Sequence, residues 1–153
     1  MPVTTLTDIS DLIVTKLQDL VIEGDSPADD TDLFGEIKDY ATNKFAKYPA
    51  VTVTPTGGID GEMKDTGRNV RVYNFKITLW QEQTQAGASP AEADRIMKQA
   101  CEKVILAFDE DRNFNYKVSR VKVVRMEFNY RVGAGTYDFA TFDVNCEVVV
   151  PNY

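Results

Sequence analysis

The chain contains no histidine. That one gap removes the commonest general base, the commonest neutral metal ligand and the usual charge switch near neutral pH. Serines are few (Ser10, Ser26, Ser89 and Ser119), and none stands in a nucleophile turn with an imidazole to activate it. The two cysteines, Cys101 and Cys146, each fall on the apolar face of their expected element. They read as reduced core thiols, with a helix-to-strand bridge left open. No apolar run approaches the ~20 residues of a membrane helix, and Met1-Pro2-Val3-Thr4 opens no basic-then-apolar leader. A soluble protein made in a cytoplasm, without membrane contact, is therefore expected.

Cationic excess is missing too. The formal net charge is −7, and residues 1–65 hold 13 Asp/Glu against 5 Lys/Arg while residues 66–153 hold 11 against 12. An acidic half argues against a sequence-reading nucleic-acid binder, which needs clustered Lys and Arg to neutralise phosphates. It remains compatible with a surface past which nucleic acid slides without adhering.

What is present is alternation. Val121 to Val132 and Tyr137 to Val150 are two long period-two runs. Val124, Met126, Phe128, Tyr130 and Val132 share one face of the first, opposite Arg125, Glu127, Asn129 and Arg131. Ala140, Phe142, Val144, Cys146, Val148 and Val150 share one face of the second, opposite Thr141, Asp143, Asn145 and Glu147. Gly133-Ala134-Gly135-Thr136 between them suits a hairpin loop. One long antiparallel hairpin with a core face and a wet face is expected.

Before it, Thr7 or Asp8 caps a helix running to about Ile22, with Ile9, Leu12, Ile13, Leu17, Leu20 and Val21 on one stripe and Gly24 as its stop. Asp25 to Asp32 is an acidic loop. Leu33 to Ala41 reads as a strand or as part of a helix. Pro49 marks a turn, Ala50 to Thr54 a short strand ending at Pro55, and Thr56 to Arg68 an exposed mobile loop containing Gly57, Gly58, Asp60, Gly61, Glu62, Lys64 and Asp65. Asn69 to Gln83 is a long strand with Tyr73, Phe75, Ile77 and Leu79 on one face and Val70, Val72, Asn74, Lys76, Thr78 and Trp80 on the other. Apolar residues on both faces suit a central strand, or one covered by another subunit. Ser89-Pro90-Ala91-Glu92 then combines cap, first-turn proline and capping glutamate, opening a helix whose stripe is Ile96, Met97, Ala100, Cys101, Val104, Ile105 and Phe108. The order describes one α+β domain over residues 1–153: a mainly antiparallel sheet, a long helix on one face and an N-terminal helix.

Candidate chemistry is thin. Asp109 to Asn115 begins like a calcium loop, but Phe114 occupies the glycine position and Arg120 the bidentate-acid position. Asp25, Asp29, Asp30 and Asp32 lack ligand spacing and read as solvated. Gly133-Ala134-Gly135 lies between two strands rather than before a helix, so it is no dinucleotide fingerprint. The strand carboxylates Glu127, Asp143 and Glu147 interleave with Arg125 and Arg131, as cross-strand charge pairing requires. No cofactor, metal or catalytic residue is expected. Trp80, on an otherwise small and polar face, reads as a subunit-interface anchor or as part of a second local packing layer.

The series Tyr48-Pro49-Ala50-Val51-Thr52-Val53-Thr54, the glycine-rich loop, Arg71-Val72-Tyr73-Asn74-Phe75-Lys76-Ile77-Thr78-Leu79-Trp80, the capped helix and the terminal hairpin resemble the tail-completion proteins of long-tailed bacteriophages, tail terminators above all. The likeness lies in element order and strand character and covers most of the chain. It implies a non-enzymatic virion subunit of the tail or neck that closes into a ring, usually a hexamer. Such a ring caps the tail tube protein, stops tube growth and docks the head-side neck or connector protein, with DNA only passing through its channel. A head-tail connector subunit is the alternative virion role, and a small α+β enzyme or ligand-binding domain the rival class. On the ring reading, Trp80, Arg71, Arg125, Glu127, Arg131, Asp143 and Glu147 are candidate subunit or tube contacts.

Overall fold

The computed structural model describes residues 5–57, 60–63, 68–82, 90–114, 118–129 and 136–151. Two helices cover one face of a mixed sheet, so the fold is α+β with a long terminal hairpin. Helix α1 is Leu6–Gln18, and Thr5 caps it: its hydroxyl accepts from the Asp8 amide while the Asp8 carboxylate accepts from the Thr5 amide. The cap thus lies before both residues expected to supply it, because Asp8 is the reciprocal partner rather than the cap. The helix also ends four residues short of Ile22. Asp19 closes it, and Val21–Ile22 (β1) pairs antiparallel with Thr31–Asp32 (β2) instead of continuing the stripe. β-Branched residues lose little in a strand, so a tertiary partner decides their state. Gly24 has another role in this ribbon: a Cβ there would stand 2.5 Å from the Asp29 Cβ.

The main sheet runs β3 (Glu36–Lys38), β4 (Ala50–Pro55), β6 (Arg68–Glu82), β8 (Thr136–Pro151), β7 (Arg120–Phe128), with β5 (Asp60–Met63) beside β6 where β4 has ended. Among the described strands only β3 and β4 pair parallel. Part of the expected loop at 56–68 is therefore strand. Gly57 does sit at φ +66°, a turn conformation that glycine adopts freely, while Gly58, Lys64 and Asp65 lie outside the described residues. β6 is central, as its two-faced pattern suggests.

Helix α2 is Pro90–Glu110. Ile9, Ile13 and Leu17 of α1 and Met97, Ala100, Cys101, Val104 and Phe108 of α2 are buried in a single core with Val51, Val53, Phe75, Ile77, Leu79, Phe142 and Val144. Lys16 of α1 meets Asp111, just past α2, at 2.6 Å. Phe114, at φ 47°, is buried with its ring 6.1 Å from that of Phe108. The polar turn after α2 is thus a helix ending packed on the core.

The hairpin pairs β7 with β8, but with a bulge between Val123 and Arg125. Val121 and Val123 oppose Cys146 and Val144, and beyond the bulge Met126 opposes Phe142. Val124 is the inserted residue and is 46% exposed, not core as its place in the alternation suggested. Phe128 is also largely exposed, with its ring edge on Phe139 at 5.9 Å. On β8 the expected core residues Ala140, Phe142, Val144, Cys146 and Val148 are all buried, and the alternation breaks only at Phe139, which is buried as well where the β6–β8 register shifts. Cys101 and Cys146 are free thiols, each pushed up to about 12 by burial.

Candidate functional site on the open sheet face

Because both helices lie on one side, the opposite face of β6, β8 and β7 carries mainly polar side chains, with Val70, Val72 and Val149 toward one end. Register places the polar ones in rows. Lys76, Asp143 and Arg125 are neighbours across three strands, then Thr78, Thr141 and Glu127, while Glu147 lies between Val72 and Arg120. Directly opposed residues stand about 5 Å apart at Cβ, within reach of charge pairing. Arg125 Nη2 also approaches Glu127 Oε1 along its own strand at 3.7 Å, with both side chains more than half exposed. Four of the expected contact residues, Arg125, Glu127, Asp143 and Glu147, thus form one group. Arg131 lies outside the described residues.

Arg71 and Trp80 do not join that group. Arg71 is exposed on the same face of β6 as buried Tyr73, at the strand's far end. It is nine residues from Trp80, about 30 Å along an extended strand. Trp80 is on the open face but half-covered by the chain itself. Parallel neighbours such as β3 and β4 need a crossover rather than a tight turn, and residues 39–49 provide it across this face. The Phe45 ring packs on Trp80 at 5.8 Å and on Tyr48 at 5.8 Å. The Trp80 indole N–H donates to Thr52 Oγ1 at 3.0 Å, and Thr52 and Thr78 are buried beneath. This is a second local packing layer. Glu36 anchors the crossover: its carboxylate pairs with Lys38 at 2.8 Å and accepts the Ala46 amide at 2.7 Å. The Lys38 hydrogen bond is the main cause that holds the Glu36 carboxyl below its ordinary range. The sequence signal for the crossover was three aromatics, Tyr40, Phe45 and Tyr48, of which the last two form the ring contacts over the sheet.

Two shallow hollows remain on this face. One, of about 420 Å³, lies under Ala41–Asn43 beside Thr52, Thr78 and Trp80. The other, of about 390 Å³, lies between Gly57 and the Val124 bulge, floored by Asn74, Lys76, Asp143 and Asn145. Their walls are hydroxyls, amides and isolated charges rather than a convergent catalytic set. Among the described residues no group of three or more His, Cys, Asp or Glu is arranged to hold a metal ion. In the acidic loop two carboxylates bond within the loop: Asp30 accepts the Gly24 amide at 3.0 Å and Asp29 accepts the Ser26 hydroxyl at 3.0 Å. No described helix is long and apolar enough to cross a membrane.

No family model matches the chain, and no curated protein matches it either.

Proposed function

We propose that this chain is a structural subunit of a long-tailed phage virion: a tail terminator whose ring caps the tail tube, stops its elongation and docks the head-side neck. The observation that carries the reading is the one-sided sheet. A central strand of 15 residues, β6, has helices on one face, while the other bears ordered rows of opposite charge beyond the reach of the chain's own crossover. Such a face suits contact with neighbouring subunits, where charge rows set register and exclude wrong partners. The resemblance in element order supplies the identity of those neighbours. The acidic balance suits a channel wall that DNA passes without sticking.

The test has two arms. Light scattering on the purified chain should give a stable ring of about six copies; a monomer that binds a small ligand would sink the reading. A phage lacking the gene should make tails of uncontrolled length. Tails of normal length left unattached to heads would transfer the chain to the connector role.

A further inference from the structure

The two layers of the molecule differ in charge. Residues 6–32 and 90–112, which hold both helices, carry 14 Asp/Glu against 5 Lys/Arg, whereas residues 68–82 and 120–151, which hold β6, β7 and β8, carry 5 against 7. Each layer also shows an exposed apolar side chain within its own charge. On α2, Leu106 is 55% exposed, and helical spacing surrounds it with exposed Glu102, Asp109 and Glu110. Lys103, one turn earlier, donates to the Val21 carbonyl at 2.9 Å and so brings β1 to this side of the helix, with Ile22 44% exposed. On the sheet, the bulge turns Val124 outward beside the hollow of the open face. Arg120, Lys122 and Arg125, all exposed, stand on the same strand, and register puts them on that face opposite Glu147, Asn145 and Asp143.

We propose that a second copy of this chain seats its acid-ringed Leu106–Ile22 patch on the Val124 patch, where Lys76, Arg120, Lys122 and Arg125 stand among Glu127, Asp143 and Glu147. The helix patch is acidic, the sheet patch has four cations against three carboxylates, and each has an apolar centre, which excludes water where the charges meet. They lie on opposite layers, so the contact is head-to-tail. Every added copy leaves one patch of each kind free, and a contact of this type closes into a ring when its rotation divides the full turn. The Arg125–Glu127 pair is solvent-exposed and held at 3.7 Å, a weak link that a partner carboxylate can replace. This proposal rests on the ring reading above and assigns the surfaces that such a ring would use.

Sedimentation of the full chain at physiological salt tests it. The E102K/E110K variant and the R120E/K122E variant should each associate at least tenfold more weakly than the unaltered chain. An equimolar mixture of the two should regain assembly, because each reversed patch then meets its opposite. Leu106→Ser should weaken association with an unchanged melting temperature and circular dichroism spectrum, because the side chain is exposed in the monomer. Charge-reversed variants that assemble like the unaltered chain would overturn these surfaces and leave the ring reading standing. An unaltered chain that stays monomeric would overturn both.

Discussion

The two faces of β6 are made by one strand and have opposite energetic characters. Tyr73, Phe75, Ile77 and Leu79 are buried under two helices. Two residues of the other face, Thr78 and Val70, are as inaccessible, yet Lys76 and Asn74 between them meet solvent or a shallow hollow. The difference shows what holds the fold and what is free for other work. The helix-side face is close-packed hydrocarbon, where a lost side chain leaves a void. The other face is held by a short aromatic crossover at one end and by charge rows at the other, and charge rows in water add little stability.

Phe75→Ala should mark the first extreme. Removing a fully buried ring from the central strand is expected to cost about 3–5 kcal/mol, a large part of a stability of about 5–15 kcal/mol. A denaturant midpoint within error of the parent would refute the core assignment. On the same face, Cys101 and Cys146 should stay unreactive to a thiol reagent near pH 8 while folded, since burial has pushed both up to about 12. Both should titrate once the chain unfolds. Rapid labelling of either thiol in native protein would contradict the packing of α2 on β8.

Trp80→Ala belongs between the extremes. It removes a half-buried ring packed on Phe45 and strands Thr52 without its donor, for an expected loss of about 2 kcal/mol. Trp80 is the only tryptophan, so its fluorescence should report loosening of residues 39–49 in a Phe45→Ala variant. If Trp80→Ala leaves the melting point intact and instead abolishes association, Trp80 is an anchor for a neighbour and the crossover is secondary.

The α1 cap is a smaller local effect. Thr5→Ala should cost about 1 kcal/mol. The Thr5 amide, first, and then its hydroxyl hold the Asp8 carboxyl below the ordinary carboxylate range. A depressed folded pKa contributes stability above the unfolded value and loses it as pH falls through the folded value. Thr5→Ala removes the hydroxyl that accepts the Asp8 amide and should cost helicity at low pH as well as at pH 6. Asp8→Ala, in contrast, should cost it at pH 6 and little at low pH, below that window. Equal sensitivity to Asp8→Ala at both would remove Asp8 from the cap. Smallest of all, Arg125→Ala should change monomer stability by no more than about 0.5 kcal/mol. A larger loss would mean the charge row is structural.

The elements that were legible are those whose periodicity carries its own energy. α2 follows from its apolar stripe and from Pro90 at its first position, the expected cap Ser89 lying outside the described residues. β8 keeps every expected core residue whose burial is described, because period-two alternation over a long strand strongly specifies register. The α1 boundary, the strand within 56–68 and the parallel β3 were not legible. Each depends on a backbone partner rather than on its own residue pattern: β2 for Val21 and Ile22, β6 for β5, and β4 for β3. Of the candidate contacts, the charged residues of β7 and β8 come together because they alternate with core residues on paired strands. Arg71 separates from them because it lies toward the far end of β6 on the other face, and Trp80 because the 39–49 crossover covers it on the same face.

By itself, then, the amino-acid order determined the composition class, the two-sided character of β6, the long helix and the hairpin with its charged face, because local periods encode them. Only the tertiary structure decided where α1 stops, that β7 bulges at Val124, and that residues 39–49 cover Trp80. A bulge, a crossover and a helix end are each settled by backbone hydrogen bonds and ring contacts to distant chain, and no local pattern of residues contains those partners.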